Sequence, residues 1–175
     1  MDMSAAPKIT QLNAPLIPHL KAVSLFKDIA NDAEAMRSLA HVMQERHYKA
    51  GEDIIKEGTL GTELFILISG QASVYKAPPQ GEEYKVAIFE GTKNISFGES
   101  GLIESDLRSA TIRADVDSTC LALDRKDFEL FSQTRPDWAL PVYRRIAHAV
   151  MARLKKTNND MLLLYNALVS EIRGQ

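Results

Sequence analysis

Cysteine is almost absent from this 175-residue chain, where Cys120 stands alone. A single thiol excludes an intrachain disulfide, an all-cysteine metal site and an iron–sulfur cluster. Cys120 sits in an alternating apolar run and reads as a small core residue. Long apolar runs are lacking as well: none exceeds the length of residues 64–68, far short of the ~20 residues of a membrane span. The opening Met1-Asp2-Met3-Ser4 shows no basic stretch followed by an apolar one, so no secretory signal is visible. The expected compartment is the cytoplasm, where the glycosylation sequon Asn94-Ile95-Ser96 carries no meaning. Neither sign of charge dominates. A formal net charge of −2 at pH 7 argues against a nucleic-acid binder. The local cluster of Arg144, Arg145, Arg153, Lys155 and Lys156 reads as a solvated helix face. His19, His41, His47 and His148 show no metal-site spacing, which disfavours a metal-dependent jelly-roll enzyme. No internal repeat is evident.

What remains is an ordinary globular composition, 45% hydrophobic and 25% charged, in a length that suits one domain with a well-buried core. Residues 1–44 read as a loose tail followed by two helices over 15–30 and 32–44, with Leu16, Leu20, Val23, Ala35, Leu39, Val42 and Met43 at helical spacing. Asn31 or Asp32 is placed to cap the second. Residues 45–126 switch to short strands, clearest at 53–57, 63–69, 71–76, 84–89, 109–115 and 119–124. Gly58, Gly61 and Gly70 fall where the chain turns tightly or φ is positive, and residues 76–82 form a solvent loop. Many short strands with such punctuation predict a mixed β architecture with flanking helices, a jelly-roll-like β-roll.

Helix returns over 127–175, with Pro136 or Pro141 suited to a first turn. Beyond it Tyr143, Ala147, Val150, Leu154, Thr157, Met161, Leu164 and Leu168 step by alternating fours and threes. That is the heptad seam of a two-stranded coiled coil. A helix packing on its own β-roll shows a similar stripe, and a homodimer is the preferred alternative.

The functional signal lies between Phe97 and Ile112. Phe97-Gly98-Glu99-Ser100-Gly101-Leu102-Ile103 is followed by Glu104-Ser105-Asp106-Leu107 and then Arg108-Ser109-Ala110-Thr111-Ile112. A helix starting just after Gly98-Glu99 offers unpaired backbone N–H groups to an anion. Arg108 adds a planar fork matched to two phosphate oxygens, and Glu99 an acceptor for a sugar hydroxyl. The spacing alone is equally compatible with a plain Glu99–Arg108 surface ion pair, worth ~0–1 kcal/mol.

These residues resemble the phosphate-binding cassette of cyclic-nucleotide-binding domains, the family of the catabolite activator protein, protein kinase A regulatory subunits and cyclic-nucleotide-gated channels. Phe97, Gly98, Glu99, Leu102, Ile103, Arg108, Ala110, Thr111 and Ile112 fit the family pattern; Ser100, Gly101 and Leu107 replace an apolar residue, Ala and Pro. Residues 49–70 are similar to the family's early β-roll, and residues 120–128 to its last strand and the start of the closing helix. The resemblance runs from about Leu20 to about Asn158.

The resemblance implies a regulatory module with no catalytic residues and no cofactor, whose ligand is cAMP, with cGMP as the other candidate. The implied binding set is Phe97, Gly98, Glu99, Ser100, Arg108, Ser109 and Ala110 from the cassette, and Arg153, Thr157 and Asn158 from the closing helix. Thr157 is implied to meet the base and Asn158 to do so across the dimer; Thr157 also suits a register-fixing polar seam position. Ser109 does not separate the two nucleotides. The downstream partner is a protein that the sequence does not name, and the chain is either whole or a regulatory piece of a longer one. The competing function is a degenerate member, kept alive by Ser100, Gly101 and Leu107, that serves as a dimerisation scaffold without nucleotide.

Overall fold

The computed structural model describes residues 14–78 and 81–173; the expected N-terminal tail lies outside them up to residue 13, as do residues 79–80 of the solvent loop. The first helical stretch is broken where one helix was expected. A 3-10 turn at Ala14–Leu16 leads into α1 (Ile17–Ala22), and a second 3-10 turn covers Ser24–Phe26. Between them the β-branched Val23 is extended, with ψ 126°, and stops the helix. α2 (Ala33–Val42) starts as expected, because the Asp32 carboxylate accepts from the N–H groups of Glu34 and Ala35 at 2.9 and 3.0 Å. A cap of this kind stabilises a helix by about 1 kcal/mol. The helix ends at Val42 rather than residue 44, since Gln44 already belongs to the first strand.

Among the described residues ten strands follow: β1 (Gln44–Tyr48), β2 (Asp53–Ile55), β3 (Leu60–Gly61), β4 (Glu63–Ser69), β5 (Gln71–Lys76), β6 (Tyr84–Glu90), β7 (Ile95–Phe97), β8 (Asp106–Leu107), β9 (Thr111–Ala114) and β10 (Ser118–Asp124). They form two four-stranded antiparallel sheets, β1-β10-β4-β7 and β2-β9-β5-β6, with β3 and β8 as a separate small pair. α3 (Arg125–Thr134) and α4 (Pro136–Arg173) close the chain. This is the antiparallel β-roll with N-terminal helices and a long C-terminal helix that the sequence predicts. Pro136 occupies the first position of α4, whereas Pro141 lies inside the helix, where it removes one backbone hydrogen bond.

Two cores share the central strands. Leu64 and Ile66 of β4, with Leu121 and Leu123 of β10, face outward and pack against Leu20, Phe26, Leu39, Phe128 and Ile146 of the helical layer. Phe65 and Leu67, with Cys120 and Ala122, face inward and pack with Ile55, Phe97 and Ile112 between the sheets. Burial on both faces explains the uninterrupted apolar run at residues 64–68. Past Ile146, by contrast, no described residue of α4 is buried. The apolar stripe there is not covered by this chain's own β-roll.

α4 is fastened to the N-terminal layer by charge as well. Arg145 donates from Nε to Asp28 at 2.8 Å, and this bonding, with Arg144 nearby, pulls the Asp28 carboxyl down to about 2. A carboxyl depressed by folding stabilises the native state above its unfolded value, and that contribution fades as pH falls through the folded one. The melting-temperature gap between the wild type and Asp28→Asn is therefore expected to stay constant from neutrality to about pH 4 and to close as pH falls toward 2. Thermal melts of both proteins across that range check it; a gap unchanged at pH 2 would refute the assignment.

Candidate functional site

Arg108 is one of the few buried polar residues of the described roll. Its backbone is pinned from both sides: its N–H donates to the Thr59 carbonyl and its carbonyl accepts from the Gly58 N–H, both at 2.8 Å. This continues the β3–β8 pairing of Leu60 with Leu107 and of Gly61 with Asp106. The side chain then passes over Gly61, where a Cβ would stand 1.9 Å from Nε. The guanidinium ends beside Gly98 and Gly101, where added Cβ atoms would approach Nη1 to 2.8 and 3.1 Å. Gly61 is thus needed for room rather than for positive φ, whereas Gly58 and Gly70 do lie in the left-handed region, as does Gly98. Gly101, which departs from the family pattern, is buried and leaves space for the guanidinium.

At its tip Arg108 donates from Nη1 to the Gly98 carbonyl at 3.2 Å and from Nη2 to the Glu63 carbonyl at 2.6 Å. It is 8% exposed, and burial lowers its pKa from the ordinary arginine value, while Glu63 and Glu99 oppose that shift by charge. Among the described residues it has no salt bridge. Two of its five N–H donors are committed to carbonyls, which leaves charge and donors for an anion.

The guanidinium lines a hollow of about 360 Å3, within the usual range for small-molecule sites. Its apolar wall is Ile55, Val74, Phe89, Phe97 and Ile112, with Phe97 stacked between Phe65 and Phe89 at 5.8 and 5.6 Å. Gly98, Glu99, Ser100, Ser109 and Ala110 complete the cassette side, and Arg153 and Thr157 of α4 reach the hollow from above it in sequence. Of the residues expected from the sequence only Asn158 lies outside; it is exposed on α4, one residue beyond Thr157. Glu99 does not pair with Arg108. It is 15% exposed and faces Arg153 at 3.6 Å.

Two features differ from expectation. The cassette helix is a single 3-10 turn, Glu99–Leu102, too short to present a helix dipole to an anion. The positive charge of the hollow comes instead from side chains, and one of them is new: Lys76, at the end of β5, lines the cavity and donates from Nζ to the Ser109 carbonyl. Nothing in its local sequence marks it. Only the β5–β9 register, with Tyr75 opposite Thr111, brings it to the cassette. A larger groove of about 500 Å3 lies between α2, α3 and α4, but its wall is mostly apolar and Arg135 there is engaged by Trp138 and Asp137. The smaller hollow holds the converging charges and is the better candidate.

With this geometry in view, comparison with known proteins decides the family. A model of the cyclic nucleotide-binding domain matches residues 45–135, just over half of the chain. The chain belongs to the cyclic nucleotide-binding domain family. Human cGMP-dependent protein kinase 2 is 35% identical over 116 residues, covering 66% of this chain and 14% of the kinase. The Drosophila melanogaster cAMP-dependent protein kinase type II regulatory subunit is 27% identical over 165 residues, covering 94% and 41%. The crystal structure of the Thermus thermophilus catabolite activator protein superposes with a TM-score of 0.69 at 28% identity, covering 80% of this chain and 62% of that one. The chain spans only 10–14% of the length of the cGMP-dependent kinases that it matches. Homologous domains of this family are regulatory cyclic-nucleotide-binding modules.

A Cβ at Gly61 is incompatible with the present path of Arg108. Gly61→Ala is expected to expel the guanidinium from the Gly98 and Glu63 carbonyls and to lower Tm by about 3–10 °C, since each kcal/mol moves a domain of this size by roughly 2–4 °C. Differential scanning calorimetry and the Arg108 Nε–Hε resonance report it. An unperturbed resonance would show that the glycine is not what admits the side chain.

Proposed function

We propose that this chain is a cyclic-nucleotide sensor, a receptor module and not a catalyst, with cAMP as its preferred ligand and cGMP as the alternative. The observation that carries this reading is Arg108: a buried guanidinium, held only by carbonyl oxygens, in a hollow that also holds Glu99. The cyclic phosphate is a monoanion and meets Arg108, with Lys76 and the Ser109 hydroxyl beside it. The ribose hydroxyl donates to the Glu99 carboxylate. Phe97, Gly98, Ser100 and Ala110 shape the cassette wall around the sugar phosphate. The base extends toward α4, where Thr157 faces it from the same chain and Asn158 from a partner across a dimer seam. The preference for cAMP rests on the resemblance of the Arg153–Asn158 segment to the closing helix of the catabolite activator protein, because a hydroxyl such as that of Thr157 accepts from the exocyclic amino group of either base. The names of the relatives are divided, one a cGMP-dependent kinase and another a cAMP-dependent regulatory subunit.

The switch follows from the Glu99–Arg153 contact. Glu99 faces Arg153 of α4 at 3.6 Å, and a ribose hydroxyl on Glu99 competes for the same oxygens. Arg153 is 68% exposed, so the contact contributes at most ~1 kcal/mol, about a fivefold shift in population. The remainder of any response comes from the base contact to Thr157. α4 carries the signal outward to a protein partner, in a cytoplasmic setting. Homodimerisation rests on the heptad stripe of α4, which the chain itself leaves uncovered.

Calorimetric titration with cAMP and cGMP tests the proposal directly. Binding heat and a rise in melting temperature that grows with ligand are expected. Neither signal at saturating nucleotide would leave the scaffold function instead. Arg108→Ala is expected to weaken nucleotide binding by about 2–5 kcal/mol, as for other buried charge pairs; an unchanged Kd would move the phosphate elsewhere. Leu164→Lys, at an exposed seam position, is expected to yield monomers in sedimentation velocity. Identical profiles for variant and wild type would remove the seam as the dimer contact.

A further inference from the structure

Beyond Asp160, α4 carries more apolar surface than a two-stranded seam can cover. The first stripe, Val150, Leu154, Thr157, Met161, Leu164 and Leu168, ends at the charged Glu171. A second stripe starts one residue later, at Asn158, and runs through Leu162, Tyr165, Val169 and Ile172, again by fours and threes. Leu162, Tyr165 and Ile172 are 58%, 64% and 67% exposed. The remaining side of these turns carries the polar Asn159, Asp160, Asn166, Ser170 and Arg173, with Ala167 and the exposed Leu163 between them.

Two stripes with the same heptad step call for helices on both sides, since only a helix keeps that register over several turns. In heptad terms the first stripe occupies a and d, and the second occupies b and e. Positions e in a two-stranded coil are usually charged, and here Tyr165 and Ile172 fill them. An apolar face of a, d and e is the signature of a bundle helix. A bilayer surface is the poorer occupant, because Arg173 is the one cation in the described part of these turns.

We infer that the ends of α4 from two dimers pack together through the Leu162–Tyr165–Ile172 stripe, so that the chain assembles as a tetramer held by a four-helix bundle. The inference rests on the dimer seam of the proposed function and adds a second, distinct contact to it. In the tetramer the first stripe closes each pair near the nucleotide hollows, and the second joins the pairs at the far end.

Sedimentation equilibrium of the 175-residue chain tests it, with the Leu162→Glu/Tyr165→Glu double variant and Leu164→Lys run alongside. The expected masses are four times the 19.5 kDa chain for the wild type and twice for the double variant. A wild type that stays dimeric at every concentration overturns the tetramer and leaves the dimer seam standing. A monomeric wild type overturns both. A double variant that remains tetrameric overturns the assigned contact. All substituted side chains are exposed in the free chain, so the circular dichroism spectrum of each variant is expected to match the wild type.

Discussion

A charged side chain is held inside the protein by backbone oxygens, and the candidate site is arranged around that fact. Burying a guanidinium costs several kcal/mol unless its donors are met and its path is clear. Here the Gly98 and Glu63 carbonyls meet two donors, while Gly61 and Gly101 clear the path. Glu63 contributes twice, because its carboxylate is tied separately to Arg46 and its carbonyl stays free for Arg108. The small β3–β8 pair, marginal as a sheet, fixes where the side chain begins. Remove any of these and the guanidinium loses part of what holds it in the hollow.

Much of this was legible in the sequence, and the reasons are specific. β4, β5 and β10 are long enough for their apolar pattern to show, and their ends agree with expectation to within a residue. β1 was missed because Gln-Glu-Arg-His-Tyr carries no apolar alternation; it is a strand by virtue of pairing with β10. β3, β7 and β8 have two or three residues each, too few to carry a period. β9 is shorter than expected because Ser109 and Ala110 turn into the hollow before pairing begins at Thr111. The cassette residues were readable because they are close in sequence. Lys76 was not, since it reaches the cassette only across a sheet register, and the role of Gly61 is visible only once Arg108 lies over it.

The two halves of the molecule differ in how firmly they are held. The β-roll and the helical layer share β4 and β10, so each core is braced by the other through the same residues. α4 is part of that body only as far as Ile146. From there its links to the roll are an exposed ion pair with Glu99 and the approach of Thr157 to the hollow. Those are weak attachments by design of the geometry, and they lie where a ligand would act. The exposed ion pair contributes at most ~1 kcal/mol to holding this part of the long helix against the roll.

The buried thiol of Cys120 has a practical corollary. Desolvation pushes it up to about 12, so at neutral pH essentially no thiolate exists there, and no reagent reaches a side chain with zero exposure. Because no other cysteine occurs, the wild-type chain is a chemically silent background. A cysteine engineered at any exposed point of the long helix becomes its sole reactive handle, and a fluorophore or spin label placed there follows the helix without removing the native sulfur from the core.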